Sequence, residues 1–191
     1  MNKDILINEL ENLGTALRIN RNRVRDVVLN NPQLIPYLVE ITFEVDNKLS
    51  IKASWVLELV CEQNINLIIP HLDTFCKNIG TVKFDSAVRP ISKICNFLAI
   101  YFNKRTPNSI KKSLTNTHID LIIEAGFDWM ISNHKVATKA YTMNTLFLFG
   151  KNYDWVHEEL KLIILQNIPK ESAAYKSRGK ITLKLIIENQ I

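Results

Sequence analysis

The chain has 191 residues, a length typical of one domain, and its 5 glycines and 6 prolines are too few for a turn-rich β fold or a glycine-lined phosphate loop. Its 24 lysines and arginines exceed its 19 aspartates and glutamates, so the net charge of +5 permits a polyanionic partner without requiring one. Hydrophobic residues make up 47%, enough for a buried core, but no apolar run approaches the roughly 20 residues that span a membrane.

The cysteines and histidines give no metal-binding pattern. Cys61, Cys76 and Cys95 stand far apart in apolar contexts, no Cys-x-x-Cys occurs, and no histidine has a second ligand at zinc spacing. We therefore expect inert buried thiols in a reducing compartment, with no metal and no cofactor. The N-terminus lacks a signal-peptide apolar block, so we expect a cytoplasmic protein that has no membrane partner. The sequence leaves the oligomeric state open.

In chain order, the first predicted elements are two short helices over residues 4–11 and 18–29, the second of which carries four arginines. Asn31-Pro32 then predicts a helix start, because proline suits the first helical position, and an outer helix follows over residues 34–43. Asp46 is the predicted cap of a long inner helix. Another outer helix is expected over residues 64–78, and Asp85 opens an inner helix that ends near Tyr101.

Residues 103–109 contain proline, asparagine and serine with two charges, and predict an exposed loop. A helical turn over 110–114 follows, and Thr117 with Asp120 indicates a capping box before a helix over 119–130. The central helix is predicted over 135–149, with Asn133 as its cap and Gly150 past its end; its packed face is expected to consist of Val136, Ala140, Met143 and Phe147. The last two helices cover 155–168, stopped by Pro169, and residues from the cap Ser172 to about Glu188.

Two kinds of segment recur along the chain. The outer-helix segment Leu34-Ile-Pro-Tyr-Leu38 is echoed by Ile68-Ile-Pro-His-Leu72, 34 residues later. Each predicted inner helix has a basic residue followed by a small residue or proline, at Lys52-Ala53, Arg89-Pro90, Lys139-Ala140 and Arg178-Gly179. Such recurrence is typical of helical repeats, which bury a continuous core only by stacking on one another.

These segments resemble HEAT repeats, in which an outer helix containing Leu-x-Pro-x-Leu leads through an Asp-containing turn to an inner helix that opens with Val-Arg. Residues 34–38, Asp46 and Ile51-Lys52 match this order, and Val88-Arg89 matches the last part. The resemblance implies an all-α fold of the armadillo type, a right-handed α-α superhelix of about four to five HEAT-like helical pairs. We expect a single domain in which residues 1–31 form N-terminal cap helices and residues 32–188 form the repeats.

The candidate binding residues are the cations of the inner helices and two tyrosines near them: Lys52, Arg89, Lys93, Lys135, Lys139, Arg178, Tyr141 and Tyr175. They form either a basic ridge on the concave face that follows phosphates, or a ladder of hydrogen bonds to caps and carboxylates of neighbouring repeats. Trp55, Trp129 and Trp155 are either stacking platforms or, as their spacing favours, parts of the core. No catalytic residue is predicted.

Two functions remain in competition. The first is a non-enzymatic scaffold that binds a protein or peptide through its concave face, as solenoid repeats do. The alternative is nucleic-acid binding, since the helix layout and basic inner helices resemble the HEAT-like alkylpurine DNA glycosylases, but no Trp/Asp constellation of that family can be carried over. If the chain is an enzyme, that resemblance implies a glycosylase-like activity. A lyase of the fumarase and aspartase kind is disfavoured, because its Ser/Gly-rich signature loop does not occur.

Overall fold

The computed structural model describes residues 2–189, and every regular element in that range is helical. This confirms the predicted all-α class, and the described residues contain eleven α-helices. The chain divides into two compact units, residues 1–94 and 95–191. The eighteen-residue helix α6 (Asp85–Phe102) contributes residues to both units.

The first unit contains α1 (Lys3–Glu11), α2 (Arg18–Asn30), α3 (Ile35–Thr42), α4 (Leu49–Gln63), α5 (Leu72–Asn78) and the first part of α6, with 3₁₀ turns at Pro32–Leu34, Ile65–His71 and Ile79–Thr81. Helix α4 is its centre and contacts α1, α2 and α3. Val56, Leu57 and Val60 are fully buried on α4, as its apolar spacing predicts. The second unit contains the rest of α6, α7 (Ser109–Ser113), α8 (Asn116–Ile131), α9 (Val136–Gly150), α10 (Asp154–Asn167) and α11 (Ala173–Asn189).

Helix α9 is the centre of the second unit, because it contacts α8, α10 and α11. Its packed face differs from the predicted one. Met143 and Phe147 are buried, but Val136 and Ala140 are only half-buried. Thr138, Lys139, Thr142, Thr145, Leu146 and Phe149 are buried as well. A helix contacted from three sides buries most of its circumference, so no single apolar stripe identifies its packed face.

Glycine at position 150 allows the close approach of α9 and α10. Gly150 ends α9, and a Cβ atom at this position would overlap the imidazole ring of His157 on α10. That ring stacks on Phe147 with 5.4 Å between centroids, and its Nε2 lies 2.8 Å from the Phe147 carbonyl oxygen. His157 is therefore a satisfied core residue.

Several predicted helix starts are confirmed and others are wrong. Helix α6 begins at Asp85 as predicted, and Ser172 caps α11, accepting a hydrogen bond from the Tyr175 N–H at 3.3 Å. Asp46 does not cap α4; its carboxylate pairs with Lys83 at 2.6 Å, and Asn47 accepts from the Leu49 N–H. Asn133 does not cap α9 as predicted, because the helix begins at Val136 and its N-cap residue is Lys135.

The capping box before α8 is formed by Thr115 and His118, not by Thr117 and Asp120. In it, the Thr115 hydroxyl accepts from the His118 N–H, and His118 Nδ1 accepts from the Thr115 N–H. Histidine takes the place usually held by glutamate or glutamine, so the sequence signature alone did not reveal it.

Pro90 lies inside α6, where proline removes an N–H donor from the helix. The donor that it lacks would have bonded the carbonyl of Ser86, four residues earlier. In the structure, the indole Nε1–H of Trp55 on α4 donates to that carbonyl at 3.0 Å. Trp55 thus compensates for the proline and joins α4 to α6 within the first unit.

None of the described helices combines the length and the apolarity that crossing a bilayer would require. Trp129 is buried as predicted, but Trp155 on α10 is 56% exposed and lies against Phe127 at 5.8 Å between ring centroids.

Candidate functional site

In the first unit, the predicted cations Arg89 and Lys93 converge on one carboxylate. Glu58 lies on α4 in the apolar run 55–61 and is 1% exposed. Its two oxygens accept from Arg89 and from Lys93, both at 2.8 Å. A buried carboxylate requires such compensation, because its desolvation is costly unless it is paired.

The network continues one turn along α4 to Glu62. Lys93 donates to Glu62 at 2.9 Å, and Arg18 of α2 also pairs with it. Burial disfavours the charged forms of Glu62 and Lys93, but the hydrogen bonds between the charged groups outweigh that effect. The pKa of Glu62 is lowered by Lys93 and Arg18, and the pKa of Lys93 is raised by Glu58 and Glu62.

A fourth cation, Arg21 of α2, belongs to the same cluster. Its guanidinium carbon lies 6.0 Å from the centroid of the Trp55 ring, and its buried Nε has no hydrogen-bond partner among the described residues. Burial and the charges of Arg89 and Arg18 lower the pKa of Arg21 against the opposing charges of Glu58 and Glu62. We call this cluster of Arg18, Arg21, Glu58, Glu62, Arg89 and Lys93 the α4 network; its four cations exceed its two carboxylates by two charges.

Lys52, another predicted site residue of the first unit, lies outside the α4 network. Its Nζ donates to the Glu11 carbonyl at the end of α1, at 2.9 Å. A cation at a helix C-terminus satisfies an open carbonyl and interacts well with the helix dipole. Lys52 also lines a surface depression of about 340 Å³ with Glu11, Glu44 and Lys48.

In the second unit, Lys139 is buried and makes an ion pair with Glu171 at 2.6 Å. Its ammonium also lies 5.7 Å from the centroid of the Tyr175 ring. Tyr175 is fully buried, and burial raises the pKa of its phenol. Tyr175 therefore packs inside the unit and offers no surface on which a ligand can stack.

Two other predicted residues of the second unit, Tyr141 and Arg178, line a cleft. It encloses about 330 Å³ and is lined by Asn96 of α6, by Ala137, Ala140, Tyr141 and Asn144 of α9, and by Arg178 of α11. Asn144 Nδ2 donates to Asn96 Oδ1 at 2.7 Å. The Nε of Arg178 is buried and has no hydrogen-bond partner among residues 2–189. Lys135 is exposed at the N-cap position of α9.

The structure thus separates the predicted site residues into two groups. Lys52, Arg89, Lys93 and Lys139 each make a hydrogen bond or an ion pair within their own unit, as the ladder interpretation expects. Tyr141 and Arg178 line the cleft. Whether any of these residues binds a partner remains a prediction.

The acidic partners of these cations and the two asparagines of the cleft were not predicted from the sequence. Glu58 carried a signal, because it is a single carboxylate within the apolar run Trp55-Val-Leu-Glu-Leu-Val-Cys61. Asn96 carried a weaker one, between the buried residues Cys95 and Leu98 on α6. Asn144, next to the buried Met143, carried a signal as weak as that of Asn96, whereas Glu171 lies between Lys170 and Ser172 and had none.

The remaining reactive groups form no further site in the part of the chain that the structure describes. No group of three or more His, Cys, Asp or Glu residues there is arranged to hold a metal ion. All three cysteines are buried, and burial raises the pKa of Cys76 to about 12 and that of Cys61 further.

Comparisons of the chain with protein-family profiles, with characterised proteins and with solved structures found no match.

Proposed function

We propose that this chain is a non-enzymatic helical-repeat protein of the cytoplasm that binds a protein or peptide segment in the cleft of residues 95–191. In this proposal, its helical pairs follow the superhelical order that the HEAT-like segments imply. The observation that carries the proposal is the composition of the cleft, which two amides, a phenol, two alanines and a guanidinium line; the Nε of that guanidinium has no hydrogen-bond partner among the described residues.

This composition fits a peptide backbone. Each peptide unit presents one N–H donor and one C=O acceptor, and an asparagine amide offers both kinds of group in one plane. Asn144 and Asn96 use one donor and one acceptor on each other, which leaves further donors and acceptors for a ligand. The small side chains of Ala137 and Ala140 give an extended chain room to approach α9.

The size and chemistry of the cleft also favour recognition. A volume of about 330 Å³ lies at the lower end of the range of roughly 300–1,000 Å³ that is typical of ligand sites. Amides, a phenol and a guanidinium orient a ligand through hydrogen bonds, and the described lining offers no carboxylate, thiol or imidazole as a general acid or base.

Peptide-library display against the intact chain tests the proposal. We expect the wild-type chain to enrich peptides whose affinity falls about tenfold, the effect of losing roughly 1.4 kcal/mol of hydrogen bonding, in the Asn144→Ala variant. Asn152→Ala removes an exposed amide just after α9 and should leave their binding unchanged. If no enriched peptide distinguishes Asn144→Ala from the wild type, the cleft is not the binding surface.

Nucleic-acid binding is the second candidate, and the α4 network favours it. Four cations exceed two carboxylates there, and Arg21 Nε has no hydrogen-bond partner in the described part of the chain. An excess of two charges predicts about two phosphate contacts, and hence a slope near −2 in a plot of log affinity against log salt. Arg21→Gln should flatten that slope by about one unit. If neither a duplex nor a single strand binds at low salt, this candidate fails.

A further inference from the structure

Arg178 lines the cleft, but no described group accepts a hydrogen bond from its Nε. Its side chain extends from α11 and lines the cleft beside Tyr141 and Asn144. The Nε–H is shielded from solvent and has no acceptor among residues 2–189. Native proteins satisfy nearly all of their buried donors, so an exception requires an explanation.

The contrast with Lys139 shows that the unit satisfies its other inner-helix cation internally. Lys139 is buried, is paired with Glu171 at 2.6 Å, and lies next to Tyr175. Arg178 is the corresponding basic residue of the next repeat in the sequence pattern, yet no ion pair of Arg178 occurs in the described residues. None of the described residues that line the cleft is a carboxylate that could pair with its guanidinium.

We propose that the cleft of residues 95–191 binds a carboxylate group of a peptide, with the guanidinium of Arg178 as its anchor. This inference rests on the proposed peptide-binding function and names the chemical class that the cleft selects. The planar guanidinium can donate two parallel N–H groups from its terminal nitrogens to the two oxygens of a carboxylate.

The charge of the cleft favours a carboxylate over a phosphate. Among the described residues that line the cleft, Arg178 is the single charged one, so one negative charge balances it, whereas a phosphate dianion would leave a net negative charge there. Tyr141 and the amides of Asn96 and Asn144 are neutral and suit the peptide groups beside that carboxylate.

The carboxylate can come from two sources, an acidic side chain or the C-terminus of a partner chain. The volume of about 330 Å³ holds a short segment in either case. Capture of a C-terminal carboxylate and docking of an acidic side chain both use the same guanidinium contact, so blocked and unblocked peptides are needed to separate them.

Three synthetic peptides of equal length provide the test with the full chain. One has an internal glutamate with acetylated and amidated ends, one has alanines with a free C-terminal carboxylate, and one has glutamine with both ends blocked. We expect one or both carboxylate peptides to bind the wild-type chain about tenfold more tightly than the glutamine peptide, as a charge-assisted bidentate contact implies. The peptide that binds identifies the source of the carboxylate.

Substitution of Arg178 separates this inference from the function on which it rests. Arg178→Gln should abolish the preference for carboxylate peptides, and Arg178→Lys should restore only part of it, because an ammonium lacks the planar fork. Peptide binding that is equal for all three peptides and unchanged in Arg178→Gln would overturn the carboxylate assignment and leave the peptide-binding function intact. No binding of any peptide, in the library or in this set, would overturn both.

Two further measurements cover the remaining outcomes. If Arg178→Gln fails to fold, the side-chain Nε–H resonance of Arg178 in the wild-type chain should move when a carboxylate peptide is added and stay in place with the glutamine peptide. Inorganic phosphate should compete less well than acetate for the cleft. Stronger competition by phosphate would overturn the assignment in favour of a phosphate ligand.

Discussion

Glu58 is the residue on which the charges of the first unit depend. It is 2% exposed in its side chain and accepts hydrogen bonds from both Arg89 and Lys93. A buried ion pair adds little net stability, but removing one partner leaves the other charge without compensation. In this cluster two cations would lose their shared carboxylate at once, although Lys93 would keep its ion pair with Glu62.

The first prediction follows from that arrangement. Glu58→Gln keeps the shape of the side chain and removes its charge, so we expect the free energy of unfolding in urea to fall by about 3 kcal/mol. The matched control is Glu40→Gln, whose pair with Lys3 at 2.9 Å is largely solvent-exposed and should contribute less than about 1 kcal/mol. Equal losses in the two variants would show that the α4 network is no more important to stability than a surface pair.

At the scale of single residues, the basic member of each ion pair was predicted from the sequence, but its acidic partner was not. The basic residues Arg89 and Lys139 were identified because they recur at equivalent positions of predicted inner helices. Their acidic partners Glu58 and Glu171 lie 31 and 32 residues away on other elements. A single sequence does not specify which distant carboxylate faces a given cation, because the answer depends on how the helices cross.

A side chain of α4 replaces a hydrogen-bond donor that a proline removes from α6. Pro90 removes the donor that would satisfy the Ser86 carbonyl, and the indole of Trp55 supplies another at 3.0 Å. The tryptophan and the proline should therefore be energetically coupled, although they belong to different helices.

A double-mutant cycle tests that coupling. Trp55→Phe keeps an aromatic ring but leaves the Ser86 carbonyl unpaired, which should lower the free energy of unfolding by about 1–3 kcal/mol. In a Pro90→Ala background the alanine N–H can close the helix bond to Ser86, so the same tryptophan substitution should cost less. Identical costs in the two backgrounds would mean that the indole contributes only through packing.

The start of α11 was predicted because the Ser172 side chain itself performs the capping, and the start of α6 at Asp85 was also predicted. The prediction failed where the chain uses a neighbouring residue instead. At α4, the side chain of Asn47 bonds the first N–H group, while Asp46 turns outward to Lys83. The choice between adjacent cap-forming residues depends on backbone angles in the preceding turn, which residue type does not determine.

For the whole molecule, the composition was sufficient to predict the fold class. Scarce glycine and proline argued against a turn-rich β fold, and every regular element of the described residues is helical. The superhelical order of the helical pairs remains a prediction, because crossing angles depend on how the side chains of facing helices interdigitate. The cleft could be predicted only in part: Tyr141 and Arg178 were candidates, but Asn96 and Asn144 meet through tertiary packing between α6 and α9.

The pH dependence of unfolding provides a prediction for the whole chain. Burial opposes the charge of Glu62, but hydrogen bonds from Lys93 and Arg18 lower its pKa below the ordinary 4.5. Its contribution to stability is therefore fully present above about pH 4.5 and is lost as the pH falls through the lowered value. For Lys93 the sign is opposite: its pKa lies above 10.5, so its contribution is present below that pH and is lost as the pH rises through the raised value.

The urea midpoint, measured from acid to alkaline pH, should therefore decline at both ends, and Glu62→Gln should flatten the acid decline. We expect this variant to be less stable than the wild type by up to about 1 kcal/mol at neutral pH, because the pair is partly exposed, and to match it once Glu62 is protonated. Glu124→Gln is the control, since Glu124 is exposed and makes no ion pair within residues 2–189, and its difference from the wild type should not vary with pH. If Glu62→Gln instead shows a constant difference at every pH, its ion pairs are not the source of the acid sensitivity.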